Sequence, residues 1–345
     1  RHFFGKETSL DSISYEENKN KFYLNQMLID KNFKITRFKK IGFDYFDIDK
    51  RENNIRVSNL NKKYSLVGTK FNANNLIENL INDDNSKDLN IFNQNFNLDI
   101  KIDQVYLDKD HVVKDLVGQL NFKKNKILNA ELNASFSKDQ KFKFTIKTKD
   151  QEKVTTMFLD RAEPIIKRYK FIKGFKGGIL DFYSSKTGDK STSNLKIYNF
   201  RLREVPILTK LLTLASLQGI ADILSGEGIL FDDFEMNFSN EGNLTEIEEL
   251  YAIGPAISIL MDGYVEKDKI VSLRGSLVPA TTINKAIGNI PILGKILVGS
   301  KTGEGVFGVS FKIKGPPKNL ETTVNPIKTL TPRFITRTLE KIKKN

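Results

Sequence analysis

Residues Leu128 to Ile146 read L-N-A-E-L-N-A-S-F-S-K-D-Q-K-F-K-F-T-I. Leu128, Ala130, Leu132, Ala134 and Phe136 alternate with polar residues. After Lys138-Asp139-Gln140 the alternation resumes at Phe142, Phe144 and Ile146. Successive side chains of a strand point to opposite faces, so a period of two predicts strands with one apolar and one polar face. The polar tripeptide between them predicts a hairpin turn.

The same pattern recurs further along the chain. Phe234, Met236 and Phe238 alternate with Glu235 and Asn237. Ile257, Ile259, Met261 and Val265 share one register, and Val271, Leu273 and Leu277 share another. Phe307, Val309, Phe311 and Ile313 form a further set. Short polar turns at 240–243 and 266–269 separate several of these runs. Segments 22–29, 33–41 and 98–106 read as strands with weaker contrast, and 74–81 as a short helix. The alternation predicts a mainly β fold, an antiparallel sheet with one apolar and one wet face.

Three longer helices are expected. One covers 155–169, where Met157, Phe158, Ala162 and Ile165 or Ile166 fall at roughly helical spacing. A second, apolar one covers 207–224 after Pro206 and ends at Ser225-Gly226. The third covers 333–344. It is amphipathic, with Ile335, Leu339 and Ile342 on one side and Arg333, Arg337, Lys341 and Lys344 on another, a set suited to contact with an anionic membrane surface.

Composition narrows the function. Fifty-five Lys and Arg against 42 Asp and Glu give a net charge of +13. The charge is spread along the chain rather than massed, so it does not mark a nucleic-acid interface. With no cysteine there is neither a disulfide framework nor a thiolate metal site. Of the two histidines, His2 lies at the terminus and His111 in a polar stretch read as surface. Gly303-Glu304-Gly305-Val306-Phe307-Gly308 has dinucleotide-loop spacing, but an alternating strand follows it where a helix is required. No catalytic, metal or cofactor motif emerges, and the chain reads as a non-enzyme.

From about Phe171 to Pro332 a series of short motifs occurs in order. It begins with Gly177-Gly178-Ile179-Leu180 and the segment Phe200 to Pro206, followed by Leu211 to Ile220 and then Ser225 to Ile229 with Phe231. It continues through Ala252-Ile253-Gly254-Pro255, Leu277-Val278-Pro279-Ala280, Ile283-Asn284 and Ile290 to Gly294. Glu304-Gly305-Val306-Phe307, Gly315-Pro316 and Val324-Asn325-Pro326 complete it. In this order and spacing the chain resembles the C-terminal domain of the AsmA-like family of bacterial envelope proteins, in its YhdP-type branch.

The resemblance implies an elongated, curved antiparallel β-sheet forming an apolar U-shaped groove that shelters lipid, with residues 1–95 continuing a longer groove, 96–332 forming the family's C-terminal domain and 333–345 the basic helix. It implies a periplasmic protein tethered to the inner membrane by a segment preceding Arg1. The implied partners are phospholipid acyl chains and the inner and outer membranes, with no cofactor. The implied activity is intermembrane phospholipid transport; a scaffold for outer-membrane protein assembly, or a structural envelope protein, is the alternative. The residues expected to line the groove are Leu128, Leu132, Phe136, Phe142, Phe144, Phe234, Met236, Phe238, Ile257, Ile259, Met261, Val271, Leu273, Leu277, Phe307, Val309 and Phe311.

Overall fold

A computed structural model describes residues 7–31, 35–60, 63–77, 95–123, 126–168, 174–279 and 308–327. The chain is mainly β and divides into two units, 1–164 and 165–345.

Among the described residues the first unit holds ten strands. They are β1 (Glu7–Glu17), β2 (Asn20–Asp30), β3 (Ile35–Phe46), β4 (Glu52–Leu60), β5 (Lys63–Asn72), β6 (Phe96–Tyr106), β7 (Val112–Lys123), β8 (Lys126–Ser137), β9 (Gln140–Lys149) and β10 (Glu152–Leu159). Each pairs with the next in sequence. All these pairings are antiparallel except β5 with β6, which is parallel. A parallel partner needs a long return connection, and residues 73–95 supply it. The β1–β2 link is a tight turn through Asn18, which takes the left-handed φ of 54° that asparagine tolerates.

Among the described residues the second unit holds eight strands. They are β11 (Lys176–Thr187), β12 (Lys190–Leu202), β13 (Ile229–Glu241), β14 (Leu244–Ile253), β15 (Ile257–Glu266), β16 (Ile270–Pro279), β17 (Gly308–Gly315) and β18 (Glu321–Ile327). All pair antiparallel in sequence order. The expected polar turns at 240–243 and 266–269 join β13 to β14 and β15 to β16.

Helices are few and short. Helix α1 (Glu163–Ile166) is a single turn. The others, α2 (Pro206–Leu214) and α3 (Gln218–Ser225), lie between β12 and β13. The expected continuous helix over 207–224 is therefore two. Ser216 takes φ 58° and breaks the ladder between them. The N–H of Leu217 reaches back to the carbonyl of Leu212 at 2.8 Å, closing α2. Each helix buries one narrow side: Leu208, Leu211 and Leu212 on α2, and Ala221 and Leu224 on α3.

Of the helix expected over 155–169, the described residues are helical at Glu163–Ile166, and its first part is corrected. Residues 152–159 are strand, paired with β9 through Thr155↔Ile146 and Met157↔Phe144. Here Val154, Thr156 and Phe158 occupy one face and Met157 and Leu159 the other. With β-branched and apolar side chains on both sides, the segment has no period-two contrast to read, whereas its composition favours a strand. Residues 74–77 form a helical turn, as expected for the start of 74–81. The basic segment 333–344 and the glycine motif at 303–307 lie outside the described residues.

Candidate functional site: the apolar face of each sheet

Directly paired residues on adjacent strands point to the same face, so strand register decides whether the apolar sets join. In the first unit they do. Ile13, Leu24, Ile41, Val57, Leu66, Ile100, Gly118, Leu132, Phe144 and Met157 are successive cross-strand partners from β1 to β10. A second row, Phe22, Phe43, Ile55, Gly68, Ile102 and Leu116, runs beside it.

The second unit repeats the arrangement. Leu180, Ile197, Phe234, Ala252, Ile259, Leu277 and Val309 form one row from β11 to β17. Phe182, Leu195, Met236, Leu250, Met261, Gly275, Phe311 and Val324 form the next. A third joins Phe238, Ile247, Gly263, Leu273 and Ile313. These rows contain no charged residue.

Charges lie on the opposite face, where they pair across strands. Asp262 and Arg274 are direct partners with an ion pair at 2.8 Å. Lys196 faces Glu235, at 3.8 Å. In the first unit Arg56 holds Asp44 at 2.7 Å, and Lys63 holds Asp99 at 3.1 Å. Surface pairs of this kind contribute little stability, but together with the part-buried Arg56–Asp44 pair they keep the two faces chemically distinct.

Burial along these rows is uneven. In the second unit the residues near the β13 start and β16 end are sealed: Ile229, Phe231, Ile257 and Leu277 are at most 1% exposed. Phe175, Phe200 and Phe231 stack there at 5.2 and 5.5 Å. Farther along the same strands Phe234, Met236, Phe238, Ile259, Met261 and Leu273 are only half-buried. Side chains between two packed sheets are fully buried, so this half-burial marks a face with partial cover. In the first unit two sealed clusters, around Phe38 with Tyr64 and around Ile102 with Val113, alternate with half-buried stretches.

The expected lining residues fall as follows. Leu132 and Phe144 are direct partners on the first unit's face. Phe136 and Phe142 pack against the Ile102–Val113 cluster. Leu128 sits where the β7–β8 register slips by one, between Asn121↔Asn129 and Phe122↔Ile127. In the second unit Phe234, Met236, Phe238, Ile257, Ile259, Met261, Val271, Leu273, Leu277, Val309 and Phe311 share one face. The two registers read separately on β15 and β16 thus merge, through Ile259↔Leu277 and Val265↔Val271. Phe307, Arg333, Arg337, Lys341 and Lys344 lie outside the described residues.

His111 overturns its surface reading. It is 6% exposed, and its Nδ1 lies 2.8 Å from Asp108 while its Nε2 lies 3.1 Å from Glu163. Two more contacts lock this corner: the Arg51 guanidinium donates to the Asp108 carbonyl at 2.8 Å and lies over the Tyr106 ring. Burial opposes the charge on Asp108, but the N–H of Asp110 and the His111 ring outweigh it and hold the carboxyl below its ordinary range. The cluster ties the β6–β7 turn to the start of α1, a link between residues 52 positions apart that local sequence does not signal. Among the described residues no cluster of His, Asp and Glu is arranged to hold a metal ion, and no helix is long and apolar enough to cross a membrane.

No family model, curated protein or solved structure matches the chain.

Proposed function

We propose that this protein shelters phospholipid acyl chains on the apolar faces of its sheets and so moves phospholipid between the inner and outer membranes of a Gram-negative envelope. The observation that carries the reading is the set of charge-free cross-strand rows, of which the one from Phe182 through Leu195, Met236, Leu250 and Met261 to Gly275 is half-buried throughout. A hydrocarbon chain laid along them leaves water at a gain of about 0.8 kcal/mol per methylene. Its headgroup stays solvated beyond the strand ends, so no polar group is stripped of water without a partner. Neighbouring rows offer similar chemistry, which favours sliding over tight capture. The envelope setting, the inner-membrane tether and the non-catalytic role come from the resemblance carried by the motifs between Phe171 and Pro332.

The test is purification without detergent from cells, followed by solvent extraction and native mass spectrometry. The expected result is co-purified phospholipid near one molecule or more per chain. A protein free of lipid, which also fails to accelerate phospholipid transfer between donor and acceptor vesicles, refutes the reading.

A further inference from the structure

We propose that Met236 and Met261 form an oxidation-sensitive point on the second unit's apolar face, where a hydroperoxide converts the thioethers to sulfoxides and closes that stretch to acyl chains. The functional consequence rests on the acyl-chain reading; the chemistry does not. The chain has four methionines and no cysteine, so thioethers are its only sulfur. Met27 is 7% exposed within a sealed cluster. Met236 and Met261 are half-buried. Both are direct cross-strand partners of Leu250, one from each side. They therefore point to one face, about 9.6 Å apart, which is two interstrand spacings. Met157, also half-buried, belongs to the other unit.

In the step, the thioether sulfur attacks the distal oxygen of the hydroperoxide. An S–O bond forms as the O–O bond breaks. Sulfur loses two electrons; the hydroperoxide gains them and leaves as water from hydrogen peroxide, or as an alcohol from a lipid hydroperoxide, taking the proton of the transferred hydroxyl. The product is polar and chiral where the thioether was flexible and apolar. The next residues along the row, Leu195, Leu250 and Gly275, offer no side-chain donor to the new oxygen. An acyl chain crossing this point must then desolvate a sulfoxide dipole that nothing satisfies.

The test exposes the full chain to hydrogen peroxide and maps sulfoxides by peptide mass spectrometry, alongside binding of a fluorescent acyl-chain phospholipid. Met236 and Met261 are expected to oxidise several-fold faster than Met27, with a several-fold fall in probe binding. Binding by M236L/M261L, taken relative to that variant's own value before peroxide, is expected to survive peroxide; M157L is expected to lose the same fraction of its binding as the unaltered chain does. Oxidation of Met27 as fast as the pair, or equal loss of binding in M236L/M261L, overturns the inference. Full binding by a chain oxidised at both positions overturns it alone, whereas no binding before peroxide refutes the acyl-chain reading and the consequence drawn from it.

Discussion

Phe200 and Phe231 are direct partners on β12 and β13, with ring centroids 5.5 Å apart and planes 17° from parallel. Phe200 also meets Phe234 edge-on at 6.3 Å, so the stack and the apolar row share one side. It is the sealed end of a face on which Phe234, Met236, Ile259 and Met261 are half-buried.

Truncation separates the two regions. Phe231 is fully buried, so Phe231→Ala leaves a cavity and is expected to destabilise the second unit by about 3–5 kcal/mol. Phe234→Ala, at a half-buried position, is expected to cost less than half as much. Denaturant unfolding monitored by circular dichroism reads both; equal losses contradict a partly covered face.

A backbone constraint lies in the third row of the second unit. Gly263 has φ 138°, and a Cβ there would sit 2.2 Å from the Ser272 carbonyl oxygen. Gly263→Ala is expected to cost about 1–3 kcal/mol through strain and strand displacement. Gly188, at φ 60° with open space around it, is expected to accept asparagine with little loss. Unfolding midpoints of the two variants test the contrast.

Acid sensitivity is expected in the first unit. Asp47 and Asp108 are both held below the ordinary aspartate value of 3.8. For Asp47 burial opposes the charge, but hydrogen bonds from the Asn72 side chain, the Arg51 N–H, the Asn53 side chain and the Asp49 N–H prevail. A carboxyl whose native value is depressed binds protons more readily when unfolded. Its stabilisation is complete above 3.8 and is lost as the pH falls through the lower native value. Thermal unfolding from pH 6 down to pH 2 is expected to show this loss, with a shallower slope in Asp47→Asn. An unchanged slope contradicts the assignment.

The mainly β fold and the hairpin at 128–146 were legible because Leu132, Phe142 and Phe144 alternate cleanly with Lys, Asn and Glu. The rest of the face was less so, for a local reason. Gln26, Asp115 and Asn199 take left-handed φ values of 50°, 53° and 53° inside strands. Around them the inward residues step by three instead of two: Leu24 and Met27, Val113 and Leu116, Ile197 and Phe200. A period-two reading loses the face at each such point. Among the described residues the helix expected at 155–169 holds only at Glu163–Ile166, because the preceding residues form β10, which carries β-branched and apolar side chains on both sides. The buried His111 pairing depends on Glu163, far away in sequence, and no spacing rule reaches it.

The central claim is tested most directly by crosslinking with a phospholipid that carries a diazirine on its acyl chain, mapped by mass spectrometry on the detergent-free protein. Adducts are expected at Phe234, Met236, Ile259 and Leu273, and not at their opposite-face neighbours Glu235, Asp262 and Arg274. Adducts spread equally over both faces, or none on the apolar rows, contradict the account.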